Sequence, residues 1–307
     1  MNLVKDERMI REFYHKVIHN SGFLAGKQTT NVGIVFLASR KKYFDPKLQP
    51  YISSSEFLQR QIIKFNSERE FIKVLKRLDA PEGSYTIKLK LPNGRPLSDL
   101  QQLPNNVREI VKEYNPEKVK CDSGECYIID VPKSSMVLYV SLGLHNTVNA
   151  TLNMINDINK SIRELLNIDS EIDYVFPDVD KISQKRQNVL KKFNKTHVIF
   201  FSELHKSGKY TYIVIDIDEK NVEYLRNIIN IIRINTNSKP QFVSETRNGF
   251  HIIYEKHSLL MEFLHRDFRQ YLISNNIPLD KVEVKKKPMT PVPGTLQGGF
   301  LVRKIEI

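Results

Sequence analysis

Two carboxylates at the end of a strand-forming run are the residues of this chain whose types and spacing point most clearly to chemistry. The β-branched and aromatic run 210–215 is followed by Asp216-Ile217-Asp218. Alternate residues of a strand share a face, so Asp216 and Asp218 are expected to leave the same side of a buried strand. Two such carboxylates repel each other unless a cation lies near, and oxygen ligands suit Mg²⁺ or Mn²⁺. The pair indicates a divalent-metal site for phosphoryl or nucleotidyl transfer, and the alternative is a strand that ends in an acidic turn.

The residues after this pair predict the elements that position it. Apolar residues recur at helical spacing within 219–234, which predicts an amphipathic helix after the strand. Asn248-Gly249 then separates two β-rich runs. This dipeptide predicts a hairpin with a type I′ turn, because that turn needs positive φ at both central residues.

A histidine and an arginine flank the predicted hairpin turn. His251 is expected to face away from Phe250 and Ile252 on the second strand, because side chains alternate. A histidine on an apolar strand is more often a structural residue. Arg247, just across the turn, favours a second reading in which the two side chains bind polyphosphate through charge-assisted bonds.

A second acidic segment and a glycine-rich loop complete an ordered series of motifs. Asp280 follows a hydrophobic residue within 277–284, and Pro293-Gly294-Thr295-Leu296-Gln297-Gly298-Gly299 comes after it. The order Asp-x-Asp, Arg-x-Gly-aromatic-His, hydrophobic-Asp and Pro-Gly-Thr-Leu-x-Gly-Gly resembles the catalytic subunits and primase-polymerases of the archaeo-eukaryotic primase superfamily. The resemblance covers about residues 197–307, and the ordered combination is far more specific than any single motif.

This resemblance implies roles for the motif residues. The three aspartates would hold two Mg²⁺ or Mn²⁺ ions for phosphoryl transfer, and Arg247, His251 and Ser244 would bind the incoming nucleotide. The catalytic and metal-binding residues expected on this basis are Asp216, Asp218 and Asp280.

Two positions depart from the family pattern. Pro291 stands where members often carry a basic residue, and Gln297 stands where they often carry histidine. Phosphate contacts in this loop are therefore expected to be weaker or rerouted. The cations 285–287 and Arg303 are near enough in sequence to substitute, although a solvated charge run is the commoner role of such residues.

The composition agrees with a nucleic-acid partner. The chain has 307 residues, with 47 Lys and Arg against 35 Asp and Glu, a net charge of +12 and a pI near 9.4. Phosphate neutralisation is a common reason for such an excess. In the N-terminal half, Arg40-Lys41-Lys42-Tyr43 follows a predicted strand. This cluster is expected to bind template by phosphate contact and base stacking, and the alternative is an exposed strand end.

Hydropathy and the number of cysteines indicate whether the protein is a membrane protein and whether it has a structural zinc site. No stretch of about 18 apolar residues occurs and the N-terminus is polar, so a soluble, cytoplasmic (intracellular) protein without a membrane partner is expected. Cys121 and Cys126 lie in a predicted hairpin. Two cysteines do not make a four-ligand zinc site, so no structural zinc is expected, and both a disulfide and free thiols stay open.

The sequence predicts an α/β (α+β) protein of two lobes. Residues 1–170 are expected to form a mixed α/β lobe that binds template, and 171–195 a connection. Residues 196–307 are expected to form a primase-like catalytic module, whose antiparallel sheet, similar to that of RNA-recognition motifs, carries the carboxylates.

The function expected from this resemblance is DNA-dependent nucleotidyl transfer of primase or primase-polymerase type. Single-stranded DNA template and nucleoside triphosphates are the partners it implies, and a large primase subunit or a separate helicase are the further partners it allows. A non-catalytic accessory subunit of a primase and a repair-type polymerase are the alternatives.

Overall fold

The computed structural model describes residues 2–19, 31–52, 56–63, 67–121, 124–172 and 196–307, with isolated positions between 183 and 193. The chain forms two compact units. The first contains 1–26, 33–143 and 210–307, and the second contains 27–32 and 144–209. The predicted boundaries at 170 and 196 do not coincide with these units, and most of the predicted connection 171–195 lies outside the described residues.

Three α-helices lie in the described N-terminal residues of the first unit. Helix α1, Glu7–Phe13, begins at Asp6, whose carboxylate accepts a hydrogen bond from Met9 N at 3.0 Å, and continues as a π-helical turn. Helix α2, Glu68–Leu78, begins at Ser67, whose hydroxyl accepts from Glu70 N at 3.2 Å. Helix α3 spans Asn105–Lys112. The side-chain acceptors satisfy amide groups that have no partner within the first helical turn.

An antiparallel sheet of the first unit combines strands from both ends of the chain. Strand β1, Asn31–Ser39, pairs with β2, Glu56–Ile63, and with β6, Met136–Ser141. The C-terminal strands β13, Met289–Pro291, and β14, Leu296–Gln297, also pair with β6. Strand β15, Phe300–Leu301, pairs with β14. The chain end thus returns to the N-terminal sheet.

A small sheet in the same unit contains the cysteines. It consists of β3, Thr86–Lys88, β4, Glu117–Cys121, and β5, Gly124–Asp130, in the order β3-β5-β4. Cys121 and Cys126 form a disulfide within the β4–β5 hairpin.

A five-stranded antiparallel sheet carries the Asp-x-Asp pair. Its order is β12-β9-β11-β10-β16, and four of its strands with three helices make a β-α-β-β-α-β succession. The elements are β9, Tyr212–Ile217; α6, Val222–Thr236; β10, Phe242–Glu245; β11, Phe250–Glu255; α7, Ser258–Arg266; α8, Phe268–Ser274; β12, Val282–Lys285; and β16, Arg303–Lys304. The prediction of a mixed α and β protein with antiparallel sheets is confirmed.

Both faces of this sheet are covered. Ile213, Ile215 and Ile217 of β9 pack in one core with residues of α6, α7 and α8. Tyr212 and Val214 belong to the core shared with the N-terminal elements. Residues 212–215 of the strand therefore face an apolar core on both sides, and side-chain alternation places Asp216 on the face of Tyr212 and Val214, at the end of that core.

The hairpin β10–β11 forms as predicted, but its turn is not of type I′. Thr246 N donates to Gly249 O at 2.8 Å, and neither Asn248 nor Gly249 has a positive φ. Glycine is required at 249 for a different reason, since a Cβ there would lie 1.7 Å from Ile217 O at the end of β9. The turn lies directly against the strand that carries the aspartates.

The described residues of the second unit include two long helices. Helix α4, Thr147–Ile172, packs against α5, Thr196–Lys206. Strand β7, Gly143–Asn146, pairs with residues 31–32 of β1 and lies next to β8, Gly208–Tyr210. Among the helices that the structure describes, none combines the length and apolar character needed to cross a bilayer.

Candidate functional site

Strand register assembles the site on one face of the five-stranded sheet. Asp216 of β9 lies opposite His251 of β11 on one side and Glu283 of β12 on the other. His251 in turn lies opposite Ser244 of β10. Directly opposed residues of antiparallel strands share a face and lie close together. The sheet therefore presents a row of Glu283, Asp216, His251 and Ser244, and Asp218 follows directly after the end of β9.

Asp216 is buried and has two partners. Its Oδ1 lies 2.9 Å from His251 Nε2, and its Oδ2 accepts a hydrogen bond from Lys285 Nζ. Burial alone raises the pKa of a carboxyl group, but the contacts with His251 and Lys285 outweigh burial and hold the pKa of Asp216 well below its ordinary value. Asp216 is therefore ionised at neutral pH.

His251 bridges Asp216 and the strand β13. Its second ring nitrogen, Nδ1, lies 3.0 Å from Thr290 Oγ1, and both His251 and Thr290 are buried. Because both ring nitrogens have partners, a phosphate contact by His251 requires one of these bonds to be exchanged. Ser244 is also buried, and its hydroxyl has no hydrogen-bond partner among the described residues.

Lys285 is the cation in direct contact with the carboxylates. Its Nζ binds Asp216 and lies 3.6 Å from Glu283 Oε2. Burial lowers the pKa of a lysine, but the charges of Asp216, Glu283 and Asp218 raise it, and the net effect is a pKa above the ordinary value. Lys285 therefore carries a full positive charge among the three carboxylates.

These residues line an open cleft of about 860 Å³ within the first unit. The cleft contains the carboxylates Asp216, Asp218 and Glu283 and six cations. The cations are Arg40, Lys41, Lys42, Lys285, Lys286 and Lys287. Arg40 is held by a hydrogen bond from its Nε to Tyr139 Oη at 2.9 Å. Arg40, Lys41 and Lys42 of the predicted template cluster thus lie in the same cleft as the Asp-x-Asp pair. Their positions along the chain do not indicate this proximity.

Asp280 does not join the other two aspartates. It lies in a 3₁₀ turn, Leu279–Lys281, with a side chain that is 76% exposed, and its ion-pair contact is Lys281 at 3.6 Å. Glu283, three residues later, lies opposite Asp216 and lines the cleft. The sequence signal for Glu283 is the alternation Val282-Glu283-Val284, which places a carboxylate on the opposite face from two apolar residues.

The side chain and the backbone amide of Arg247 both contact other residues of the protein. Its guanidinium donates to Gly298 O and lies over the Tyr43 ring, 4.6 Å from the ring centre, and its backbone N–H donates to Gln297 Oε1 at 3.0 Å. Tyr43 is 8% exposed. Arg247 and Gln297 therefore fasten the hairpin turn to the glycine-rich loop, while Thr246 and Asn248 line the cleft. Tyr43 supports this contact from within the protein and does not offer an open ring face for base stacking.

The donor chemistry of the cleft fits a hard divalent cation. Asp216, Asp218 and Glu283 supply carboxylate oxygens, and Mg²⁺ typically binds one or two carboxylates, several waters and substrate phosphates. Within the part of the chain that the structure describes, no three His, Cys, Asp or Glu side chains form a ready-made ligand cluster. Both oxygens of Asp216 contact His251 or Lys285. A cation at Asp216 Oδ2 would therefore take the place of the Lys285 ammonium.

The chain was compared with models of protein families, with curated proteins and with solved structures. None of the three comparisons gives a match.

Proposed function

We propose that the protein is a nucleotidyltransferase of primase or primase-polymerase type that acts on single-stranded DNA with nucleoside triphosphates. The observation that carries this proposal is the composition of one cleft, in which the carboxylates of β9 and β12 are surrounded by six cations. Nucleoside triphosphates and nucleic acids are polyanions, so such a lining attracts both reactants.

The carboxylates and cations have distinct roles in this proposal. Asp216, Asp218 and Glu283 would hold Mg²⁺ or Mn²⁺, which when bound activates the attacking hydroxyl and neutralises the leaving group. The lysines and Arg40 bind phosphates, because each is a full charge at the cleft surface. His251 and Thr290 fix the orientation of Asp216. Catalysis then comes mainly from positioning and electrostatics, as phosphoryl transfer requires.

The resemblance to the primase superfamily supports the same conclusion. The motif order Asp-x-Asp, aromatic-His and glycine-rich loop falls on β9, on β11 and on the segment after β13, and residues of all three lie around one cleft. The proposal retains the two-lobed primase-like arrangement. Glu283 takes the metal-binding role that the sequence motif suggests for Asp280.

A second function, binding of nucleic acid without catalysis, is favoured by one specific observation. Lys285 already neutralises the buried Asp216. The cleft therefore does not need a metal ion to relieve carboxylate repulsion, and an accessory subunit could retain these residues for stability alone.

A templated synthesis assay separates the two functions. The purified protein is incubated with single-stranded DNA, with and without an annealed primer, labelled ribo- or deoxynucleotides, and Mg²⁺ or Mn²⁺. Products that follow the template sequence support the proposed enzyme. Absence of any product, together with retained binding of the same oligonucleotide, supports the accessory role and overturns the enzyme.

The same synthesis assay, applied to variants of single carboxylates, identifies which carboxylates the reaction needs. Asp216→Asn and Glu283→Gln are expected to abolish synthesis, because both side chains line the cleft. Asp280→Asn removes an equal charge from an exposed turn and is expected to retain synthesis. The reverse pattern, with loss in the Asp280 variant and retention in the Glu283 variant, would assign the third carboxylate to Asp280.

A further inference from the structure

Lys285 contacts two of the carboxylates that line the cleft. Glu283 and Lys285 are alternate residues of β12 and share a face, and Glu283 lies opposite Asp216. Lys285 Nζ binds Asp216 Oδ2 and is 3.6 Å from Glu283 Oε2. Its side chain is 29% exposed, so Lys285 is partly buried in the wall of the cleft.

The neighbouring lysines do not share this position. Within the described residues, neither Lys286 nor Lys287 forms an ion pair with a carboxylate, although both line the cleft. The carbonyl of Lys286 accepts a hydrogen bond from Lys256 Nζ at 2.8 Å, which fixes the backbone after β12. The three lysines therefore differ in role despite their adjacency in sequence.

A divalent cation and the Lys285 ammonium compete for the same oxygen. Two positive charges a few ångströms apart repel strongly in a partly buried site, so a divalent cation at Asp216 Oδ2 is opposed by the ammonium that already contacts this oxygen. A divalent cation that binds together with a nucleoside triphosphate is repelled less by Lys285, because the phosphates offer the ammonium another anionic partner.

We propose that Lys285 acts as an internal cation of the carboxylates Asp216, Asp218 and Glu283, meaning that its ammonium competes with a divalent metal ion for Asp216. Lys285 thereby keeps free divalent metal weakly bound and couples metal binding to nucleotide binding. The coupling to nucleotide binding rests on the proposed function, whereas the competition between Lys285 and a metal ion at Asp216 is a property of the protein alone. It assigns to Lys285 a positioning role that the motif pattern does not contain.

Binding of Mn²⁺ alone tests this competition. Free Mn²⁺ is measured by electron paramagnetic resonance during titration of the full-length protein without nucleotide. Lys285→Gln is expected to bind Mn²⁺ at least about tenfold more tightly than the unmodified protein, since a contacting like charge is removed. Lys287→Gln makes the same change of net charge in the same cleft and is expected to gain no more than about twofold, the effect of a more distant charge.

Two further variants keep the test decisive. Lys285→Met, which also removes the charge, replaces the glutamine variant if the latter does not fold. Asp216→Asn combined with Lys285→Gln is expected to lose the gain, because a neutral amide replaces the anionic carboxylate that would bind the metal. Equal affinities of the unmodified protein and Lys285→Gln, or equal gains in Lys285→Gln and Lys287→Gln, would overturn the inference.

The outcome is independent of the catalytic proposal. A gain confined to the Lys285 variants, in a protein that makes no templated product, supports the internal cation and overturns the enzyme. Templated synthesis by a protein whose Lys285 variants bind Mn²⁺ no more tightly overturns the internal cation and supports the enzyme.

Discussion

At the scale of single residues, the site is organised around one buried carboxylate. The spacing of Asp216 and Asp218 suggests mutual repulsion that only a bound cation relieves. The structure instead gives Asp216 two protein partners, His251 and Lys285, and leaves Asp218 exposed. The two aspartates of the motif therefore differ in what their removal does to stability.

Asp216→Asn is expected to lower the free energy of unfolding by about 1.5–3 kcal/mol, because it removes hydrogen bonds to a charged group and leaves Lys285 without its partner. Asp218→Asn, on the exposed neighbour, is expected to change it by less than about 0.5 kcal/mol. Urea unfolding of both variants at pH 7 measures the difference. Equal stabilities of the two variants would show that the Asp216 contacts do not stabilise the fold.

The depressed pKa of Asp216 makes part of the stability depend on pH. The unfolded chain takes up a proton near the ordinary pKa of about 3.9, whereas the folded protein takes it up only at lower pH. The contribution of Asp216 is therefore complete above about pH 4 and is lost as the pH falls through the folded pKa. Unfolding free energies measured from pH 5 to pH 3 are expected to fall less steeply for Asp216→Asn than for Asp218→Asn.

At the scale of elements, close backbone approach holds the site together. The β10–β11 turn lies on the end of β9, and Gly249 leaves space for Ile217 O. The amide of Asp218 donates to Lys281 O at 2.8 Å, so β12 is fastened to the same end of β9. The elements on both sides of the Asp-x-Asp pair are thereby fixed by main-chain contacts.

Gly249→Ala is expected to destabilise the protein by at least about 3 kcal/mol, because the added methyl group overlaps the carbonyl oxygen of Ile217 at the end of β9. Asn248→Ala, in the same turn, provides the control and is expected to cost less than about 1 kcal/mol. Thermal and urea unfolding of the two variants compare them. A mild effect of Gly249→Ala would mean that the turn moves away from β9 at little cost.

At the scale of the whole molecule, the fold brings distant parts of the sequence to one cleft. The cations 40–42 follow β1, whereas Asp216 and Lys285 belong to the C-terminal sheet and Lys286 and Lys287 follow it, and all lie in the first unit. Three residues predicted to bind template, Arg40, Lys41 and Lys42, therefore line the same cleft as the predicted catalytic residues Asp216 and Asp218, although the sequence suggests that the two groups lie in separate parts of the chain.

Neutralising Arg40, Lys41 and Lys42 together is expected to affect both ligands. The slope of log affinity for single-stranded DNA against log salt should decrease by up to about 2, because each released counterion contributes about 0.7. The apparent KM for nucleotide should also rise, since these cations share the cleft with Asp216. Fluorescence anisotropy at several salt concentrations and the synthesis assay measure the two effects.

A triple variant outside the cleft controls for net charge. Neutralising Lys88, Lys90 and Arg95 makes the same change of charge at positions that do not line the cleft. It is expected to leave the nucleotide KM unchanged. A KM that rises equally in both triple variants would point to overall charge, and an unchanged salt slope in the first would place the template path elsewhere.

Local patterns in the sequence determine much of this protein. The run 210–215, the helical spacing after Asp218 and the two β-rich runs around Asn248 and Gly249 predict the strand, helix and hairpin that the structure contains. The opposite orientations of His251 and Phe250 also follow from alternation alone. These features depend on residues within a few positions of one another, for which period and turn chemistry suffice.

The tertiary structure alone decides which side chains meet. Register between β9 and β12, which are far apart in sequence, brings Glu283 rather than Asp280 opposite Asp216 and carries Lys285 to the same carboxylate. The return of the glycine-rich loop to the N-terminal elements places Arg247 against Tyr43. A shift of one residue in such a pairing reverses every side chain, and packing of the two cores selects the register, so no local pattern encodes these contacts.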